Sequence, residues 1–132
     1  MEINKSKVLV VEDAEIAQKF ATMTLHDLGC EVHVAETGFE AIKMANQNIY
    51  DIILMDLGLP DIDGLKVTET IRKIEGNNRN TPVVALTAHS ENKDGINNKQ
   101  NCLKVGMNDY IEKPLTREIA EKMLEKFLQK LA

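Results

Sequence analysis

The sequence predicts a doubly wound α/β protein, a parallel sheet covered by helices on both faces, and three observations carry that prediction. Five short apolar bursts, rich in β-branched residues, alternate along the chain with amphipathic stretches of helical period. The third burst, Ile52-Ile53-Leu54-Met55, shows no polar alternation, which marks a strand buried on both faces. Gly and Pro punctuate the joints, as at Gly29, Gly58, Pro60 and Gly64. Strands that alternate with helices in this way form parallel sheets with right-handed crossovers.

Each element has a local reason. Lys7 to Val11 is a short β-branched run and the first expected strand. Ala14 to Leu28 has helical spacing through Ala17, Phe20, Ala21, Thr24 and Leu28, and Gly29 closes it. With that face on the sheet, Ile16 and Met23 point outward. Glu31 to Ala35 alternates as a strand, Gly38 to Asn46 is expected as a helix, and Asp51 to Met55 is the central strand. Leu65 to Glu75 is expected as a helix after Gly64, and Pro82 to Leu86 as another buried strand. Asn92 to Val105 is the fourth expected helix, weakened by Gly95, and Asp109 to Glu112 is the last strand. Thr116 caps a final helix running towards Leu131, with Glu118 and Glu121 near its positive end. The Asn-rich stretches Gly76 to Asn80 and Asn92 to Asn101 are expected as surface loops or weak helix.

Composition bounds the function. The 132 residues suit one domain, residues 1–132, large enough to bury a core unaided. A net charge of -5 argues against nucleic acid as a direct partner, since phosphate contacts need clustered Lys and Arg. No apolar run reaches membrane-spanning length, and Met1 to Lys5 is no signal peptide, so a cytoplasmic protein is expected. Cys30 and Cys102 match no metal spacing and are expected as reduced thiols.

The polar residues at the strand ends carry the chemistry. Asp56 ends the central apolar run and is followed at once by Leu57-Gly58-Leu59-Pro60. Ligands of open parallel sheets bind just beyond the carboxyl ends of the strands. Glu12-Asp13 close the first strand, Thr87-Ala88 the fourth, and Lys113-Pro114 the fifth, so all are expected in one cleft. Three converging carboxylates repel one another, and a hard divalent cation resolves the conflict; Mg²⁺ suits few carboxylates, a carbonyl and retained waters. Lys113 adds positive charge, and Thr87 a hydroxyl. This set suits phosphoryl transfer to a carboxylate, with Asp56 as nucleophile and Glu12 and Asp13 as metal holders.

Four stretches, in this order and spacing, resemble the receiver domain of two-component response regulators. They are Val8-Leu9-Val10-Val11-Glu12-Asp13, Asp56-Leu57-Gly58-Leu59-Pro60-Asp61-Ile62-Asp63-Gly64, Val83-Val84-Ala85-Leu86-Thr87-Ala88, and Gly106-Met107-Asn108-Asp109-Tyr110-Ile111-Glu112-Lys113-Pro114-Leu115. The resemblance implies a flavodoxin-like (βα)5 fold with strand order 2-1-3-4-5. It implies that Asp56 accepts phosphate from the phosphohistidine of a histidine kinase or histidine phosphotransfer protein. Mg²⁺ would be held by Asp13, Asp56 and the Gly58 carbonyl, and by Glu12 through water. Thr87, Ala88 and Lys113 would contact the phosphoryl group, Tyr110 would swing inward as Thr87 moves, and Lys113-Pro114 would be cis. Gly58 and His89 would border the attacking water during dephosphorylation, so His89 is expected to modulate phosphate lifetime.

The resemblance also implies that the helix-one surface bearing Ile16 and Met23 docks a helical bundle with the donor histidine. Gly-Leu-Pro after the acceptor looks more like the receivers of hybrid sensor kinases than those of transcription factors. The chain ends with its last helix, so no output domain is expected within it, and dimerisation through helices four and five stays open. The stretch from Thr87 to Lys113 is longer than is usual in the family, which falls on the fourth helix.

Blander roles stand beside these. Glu12 and Asp13 alone suit a solvated N-cap pair, and Asp61 and Asp63 suit loop or cap positions before helix three. Tyr110 also suits a half-buried core position, while His26 and His33, without ligand neighbours, are expected at the surface. Three other functions compete. Asp61-Ile62-Asp63-Gly64 superficially resembles the nucleophile motif of haloacid-dehalogenase-type phosphatases, but Pro60 and a loop separate it from the strand. A flavin protein of the same fold would need phosphate-binding amides where Glu12 and Asp13 stand. A phosphate-independent interaction module would not need the acid set.

Overall fold

Period-two alternation sorts the apolar side chains of the strands onto two faces, and both faces are covered. A computed structural model of the chain describes residues 5–74, 78–87 and 99–128. Its elements follow in the order β1 (Lys7–Val11), α1 (Glu15–Asp27), β2 (Glu31–Ala35), α2 (Gly38–Gln47), β3 (Ile52–Asp56), α3 (Gly64–Lys73), β4 (Val83–Thr87), α4 (Lys99–Lys104), β5 (Asp109–Glu112) and α5 (Arg117–Leu128). The five strands form one parallel sheet in the order β2-β1-β3-β4-β5. That is the flavodoxin-like order expected.

Leu9, Val11, Ile53, Met55, Val83 and Ala85 point to one face, where Ala41 and Ala45 of α2, Val67 and Ile71 of α3, and Cys102 of α4 close over them. Val8, Val10, Ile52, Leu54, Val84 and Leu86 point to the other, under Ala21 and Leu25 of α1 and Ala120, Met123 and Leu124 of α5. β1, β3 and β4 are thus apolar on both sides, which is why their sequences run without alternation. Each fully buried Leu, Ile or Val contributes about 1.5–3 kcal/mol of transfer free energy.

Element boundaries moved slightly from those expected. β3 and β4 each run one residue further, so Asp56 and Thr87 are the last residues of their strands. Helix α3 ends at Lys73; of α4, residues 99–104 are described, and the remainder of the expected stretch, residues 92–98, lies outside the described residues, as do Glu75 and the expected extension of α5 beyond Leu128. Thr116 does cap α5, its hydroxyl accepting from Ile119 N–H at 3.3 Å.

Two side chains depart from expectation. Phe20 was expected on the sheet but is 45% exposed. Ala14 and Ala17 are too small to fill the space opposite Pro114 and Leu115, so a cleft of about 490 Å³ opens there and Phe20 lines it. His33 is half-buried rather than at the surface. It faces the α2 side of edge strand β2, with Nδ1 2.9 Å from the Tyr50 hydroxyl and Nε2 3.0 Å from Glu31. Asp61 lies in the loop before helix three, one of the positions expected for it, and its carboxylate binds α2, as described below. His26 is exposed, as expected.

Candidate functional site

Strand register converges the strand-end residues. Val11 pairs with Met55, Asp56 with Leu86, and Thr87 with Glu112, so Glu12, Asp56, Thr87 and Lys113 all fall along the carboxyl edge of the sheet. Three backbone bonds extend the ladder past the strands: Glu12 N–H to Ala35 O at 3.0 Å, Leu57 N–H to Leu86 O at 3.3 Å, and Lys113 N–H to Thr87 O at 2.8 Å. The Lys113-Pro114 bond is cis, as expected.

Glu12 and Asp56 are almost fully enclosed, at 2% and 3% exposure, while Asp13 is open to solvent. One carboxylate oxygen from each of the three lies within 4.8 Å of the others. The Lys113 ammonium lies 2.9 Å from Glu12 Oε1 and 3.3 Å from Asp56 Oδ1. Glu12 Oε2 accepts from Ala14 N–H at 3.0 Å, and Asp56 Oδ1 accepts from Gly58 N–H at 3.0 Å.

Burial dominates the electrostatics of Asp56 and pushes its pKa up to about 6. The Gly58 amide and the Lys113 charge oppose that rise, while the Glu12 charge and a hydrogen bond to Glu12 reinforce it. Burial also works against the charge of Lys113, but hydrogen bonds and attraction from Glu12 and Asp56 outweigh it and leave its pKa raised. The ammonium therefore stays charged at neutral pH. Three carboxylates against one ammonium leave two formal negative charges, the charge of one divalent cation. An all-oxygen donor set of this size fits Mg²⁺.

Thr87 is fully buried at the end of β4, and Gly58 is exposed in the β3–α3 loop. Tyr110 is half-buried and packs against the α2–α3–α4 face of the core. Ala88 and His89 lie outside the described residues. Gln18 of α1 was not anticipated: its side-chain amide donates to the Glu12 carbonyl at 2.6 Å and ties the helix to the β1–α1 loop. A polar residue on the first turns of a helix carries no sequence signal that separates this role from solvation.

The two acids of Asp61-Ile62-Asp63-Gly64 are occupied otherwise than a phosphatase nucleophile would be. Asp63 caps α3, accepting from Leu65 and Lys66 N–H at 2.7 and 3.2 Å. Asp61 accepts from Gly38 and Phe39 N–H, each at 2.8 Å, at the start of α2.

Fold and site together define an α/β domain with a compact acid–lysine cluster at the carboxyl edge of its sheet. The chain belongs to the response regulator receiver family, the phosphoacceptor switches of two-component systems: the family model described as the response regulator receiver domain matches residues 8–125. It is 39% identical over 133 residues to hybrid signal transduction histidine kinase B of Dictyostelium discoideum, covering 92% of this chain and 7% of the kinase. It is 37% identical over 122 residues to sensor protein GacS of Pseudomonas syringae pv. syringae, covering 90% of this chain and 13% of that protein. The chain thus spans a small fraction of these relatives. Among solved structures, it resembles the receiver domain of a sensor histidine kinase of Pseudomonas aeruginosa PAO1 with magnesium coordinated in its active-site cleft, at TM-score 0.84 and 36% identity, covering 96% of this chain and 100% of that one. It also resembles the chemotaxis response regulator CheY4 of Vibrio cholerae, at TM-score 0.83 and 29% identity, covering 95% of this chain and 100% of that one.

Proposed function

We propose that Asp56 is the phosphoacceptor of a single receiver domain spanning residues 1–132, and that its donor is a phosphohistidine on a histidine kinase or histidine phosphotransfer protein. The observation that carries this is the enclosed Asp56 carboxylate at the end of β3, with the Lys113 ammonium 3.3 Å away and two further acids around it. An Asp56 carboxylate oxygen forms the new O–P bond as the P–N bond to the donor imidazole breaks, the nitrogen leaving with the bonding pair. Lys113 binds one phosphoryl oxygen, and the Thr87 hydroxyl and Ala88 amide bind others. Asp13, Asp56 and the Gly58 carbonyl, with Glu12 through water, would hold a Mg²⁺ ion that neutralises charge on the phosphoryl oxygens when bound.

The domain catalyses only its own phosphorylation and the hydrolysis of its own aspartyl phosphate, and acts on no separate substrate. Hydrolysis passes Gly58, which offers no side chain, and His89, which modulates the water. Thr87 moves onto the phosphoryl group, and Tyr110 follows it inward, shifting a two-state equilibrium that partners sense. The donor protein docks on α1. Ile16, Met23 and Phe20 are 84%, 66% and 45% exposed there, and the cleft beside Phe20 runs to Glu12 and Lys113. Such a domain works in the cytoplasm, and its similarity to hybrid kinases suits a place within a longer chain of that kind.

The test is incubation with Mg²⁺ and acetyl phosphate, followed by intact mass. One acid-labile phosphate on the wild type and none on Asp56→Asn is expected; an equal adduct on the variant overturns the assignment.

A further inference from the structure

The loop from Leu57 to Asp63 carries Gly58 and is pinned at three places. At its start, Leu57 is buried and joined to β4 through Leu86 O. At its end, Asp63 caps α3, and Gly64 sits so close behind the site that a Cβ there would meet Asp56 O at 2.5 Å. Between these anchors the loop reaches sideways to another helix. Asp61 Oδ1 and Oδ2 each accept one amide at the start of α2, Gly38 N–H and Phe39 N–H, both at 2.8 Å. The next residue, Ile62, packs so closely that a Cβ on Gly38 would meet its Cγ1 at 2.5 Å and Val67 Cγ2 at 2.8 Å.

Asp61 is exposed, and its slight burial raises its pKa; backbone amides, those of Gly38 and Phe39 foremost with Ile62 and its own behind them, outweigh that and leave it below the ordinary carboxylate value. Two charge-assisted bonds to rigid helical amides give a fixed geometry that a single contact would not. The anchor stands three residues from Gly58, close enough to set the path of the backbone between them.

We infer that Asp61 is a positioning residue: its carboxylate latches the β3–α3 loop to the start of α2 and thereby aims the Gly58 carbonyl at the cation bound by the acid cluster. The inference rests on the proposed Mg²⁺ site. Supports held in place by hydrogen bonds outside the ligand set typically alter metal affinity by about 10–100-fold. The latch predicts the low end of that range because it acts through the loop. It also predicts that α2 and the site are coupled, so that disturbing either side of the latch disturbs the cation.

The test is Mg²⁺ affinity by calorimetric titration of the whole chain, for the wild type, Asp61→Ala, Asp61→Asn and Gly38→Ala, with amide NMR spectra of the metal-free proteins. Asp61→Ala is expected to bind Mg²⁺ roughly tenfold more weakly and to shift the Gly38, Phe39 and Gly58 amide resonances, with the remaining spectrum dispersed as in the wild type. Asp61→Asn, which keeps one acceptor oxygen, is expected between the two. Gly38→Ala changes no charge and pushes on Ile62, so weaker binding there separates the latch from a loss of negative charge near the cation. Should Asp61→Ala not fold, the Asn and Gly38 variants carry the test. Wild-type affinity in Asp61→Ala, or in Gly38→Ala, overturns the latch and leaves the site intact. No Mg²⁺ binding by the wild type overturns the site itself.

Discussion

The Lys113 ammonium sits nearer to Glu12, at 2.9 Å, than to Asp56, at 3.3 Å, and so bridges the two most deeply enclosed acids among the described residues. Glu12 is held in that bridge by the Ala14 amide, while Asp56 leans on the Gly58 amide. The lysine is therefore part of the structure before any phosphate arrives.

Removing that charge has a predictable sign. Lys113→Met leaves Glu12 and Asp56 enclosed without a cation; removing one partner of a fully buried pair costs about 3–5 kcal/mol, and the 28% exposure of the Lys113 side chain puts this loss below that range. Without the Lys113 charge, which holds its pKa down, Asp56 takes up a proton more readily, so the deficit is expected to be largest at pH 8 and to shrink towards pH 5. Urea unfolding of both proteins across that range checks it; a deficit that is constant with pH contradicts it.

Asp56 opposes folding in the metal-free protein. Its folded pKa, about 6, lies above its ordinary value of 3.8. Below both values the protonated acid has no effect on stability; between them the unfolded chain loses its proton first, and above about 6 the full penalty is present. Asp56→Asn is expected to raise stability at pH 7.5 by on the order of 1–2 kcal/mol, allowing for solvent at the mouth of the site. The gain should vanish below about pH 3, where both states are protonated. Thermal melts in chelator at both pH values decide the matter, and a variant less stable than wild type at pH 7.5 speaks against it.

Gly64 lets the start of α3 press against the backbone of Asp56. Gly64→Ala places a methyl group 2.5 Å from Asp56 O, a backbone atom that cannot move aside cheaply. The expected loss is about 1–3 kcal/mol, with slower phosphorylation because Asp56 itself is displaced. Denaturant midpoints and acetyl phosphate kinetics measured together test it; unchanged kinetics contradict the geometry.

Both thiols should be inert. Burial pushes Cys102 up to about 11, and burial with the nearby charge of Asp51 raises Cys30. Neither is expected to react with Ellman's reagent in the native protein at pH 8, and both should react at once in denaturant. Fast native labelling of either contradicts their enclosure.

Much of the site was legible because three of its groups end apolar runs. Asp56 after Met55, Glu12 after Val11 and Thr87 after Leu86 needed only the rule that parallel strands end together. Residues that act across the chain were not legible. Asp61 reads as a loop or local cap residue, and nothing in its own stretch points to its partners, Gly38 and Phe39, which the packing of α2 on α3 brings near. Gln18 reads as a solvated helix residue, but the turn of β1 into α1 puts the Glu12 carbonyl beneath it. Helical period placed Phe20 on the sheet, whereas the small Ala14 and Ala17 leave a cleft instead. Periodicity states which face a residue is on, not whether the facing surface reaches it.

The most direct measurement reduces the phosphorylated protein with borohydride, which converts an aspartyl phosphate to homoserine, and locates the product by peptide sequencing. Homoserine at position 56 alone, dependent on Mg²⁺ and absent when acid treatment precedes the reduction, is the predicted result. Homoserine at position 13 or 61 with Asp56 intact, or no homoserine from a protein that carries phosphate, would contradict the assignment of Asp56.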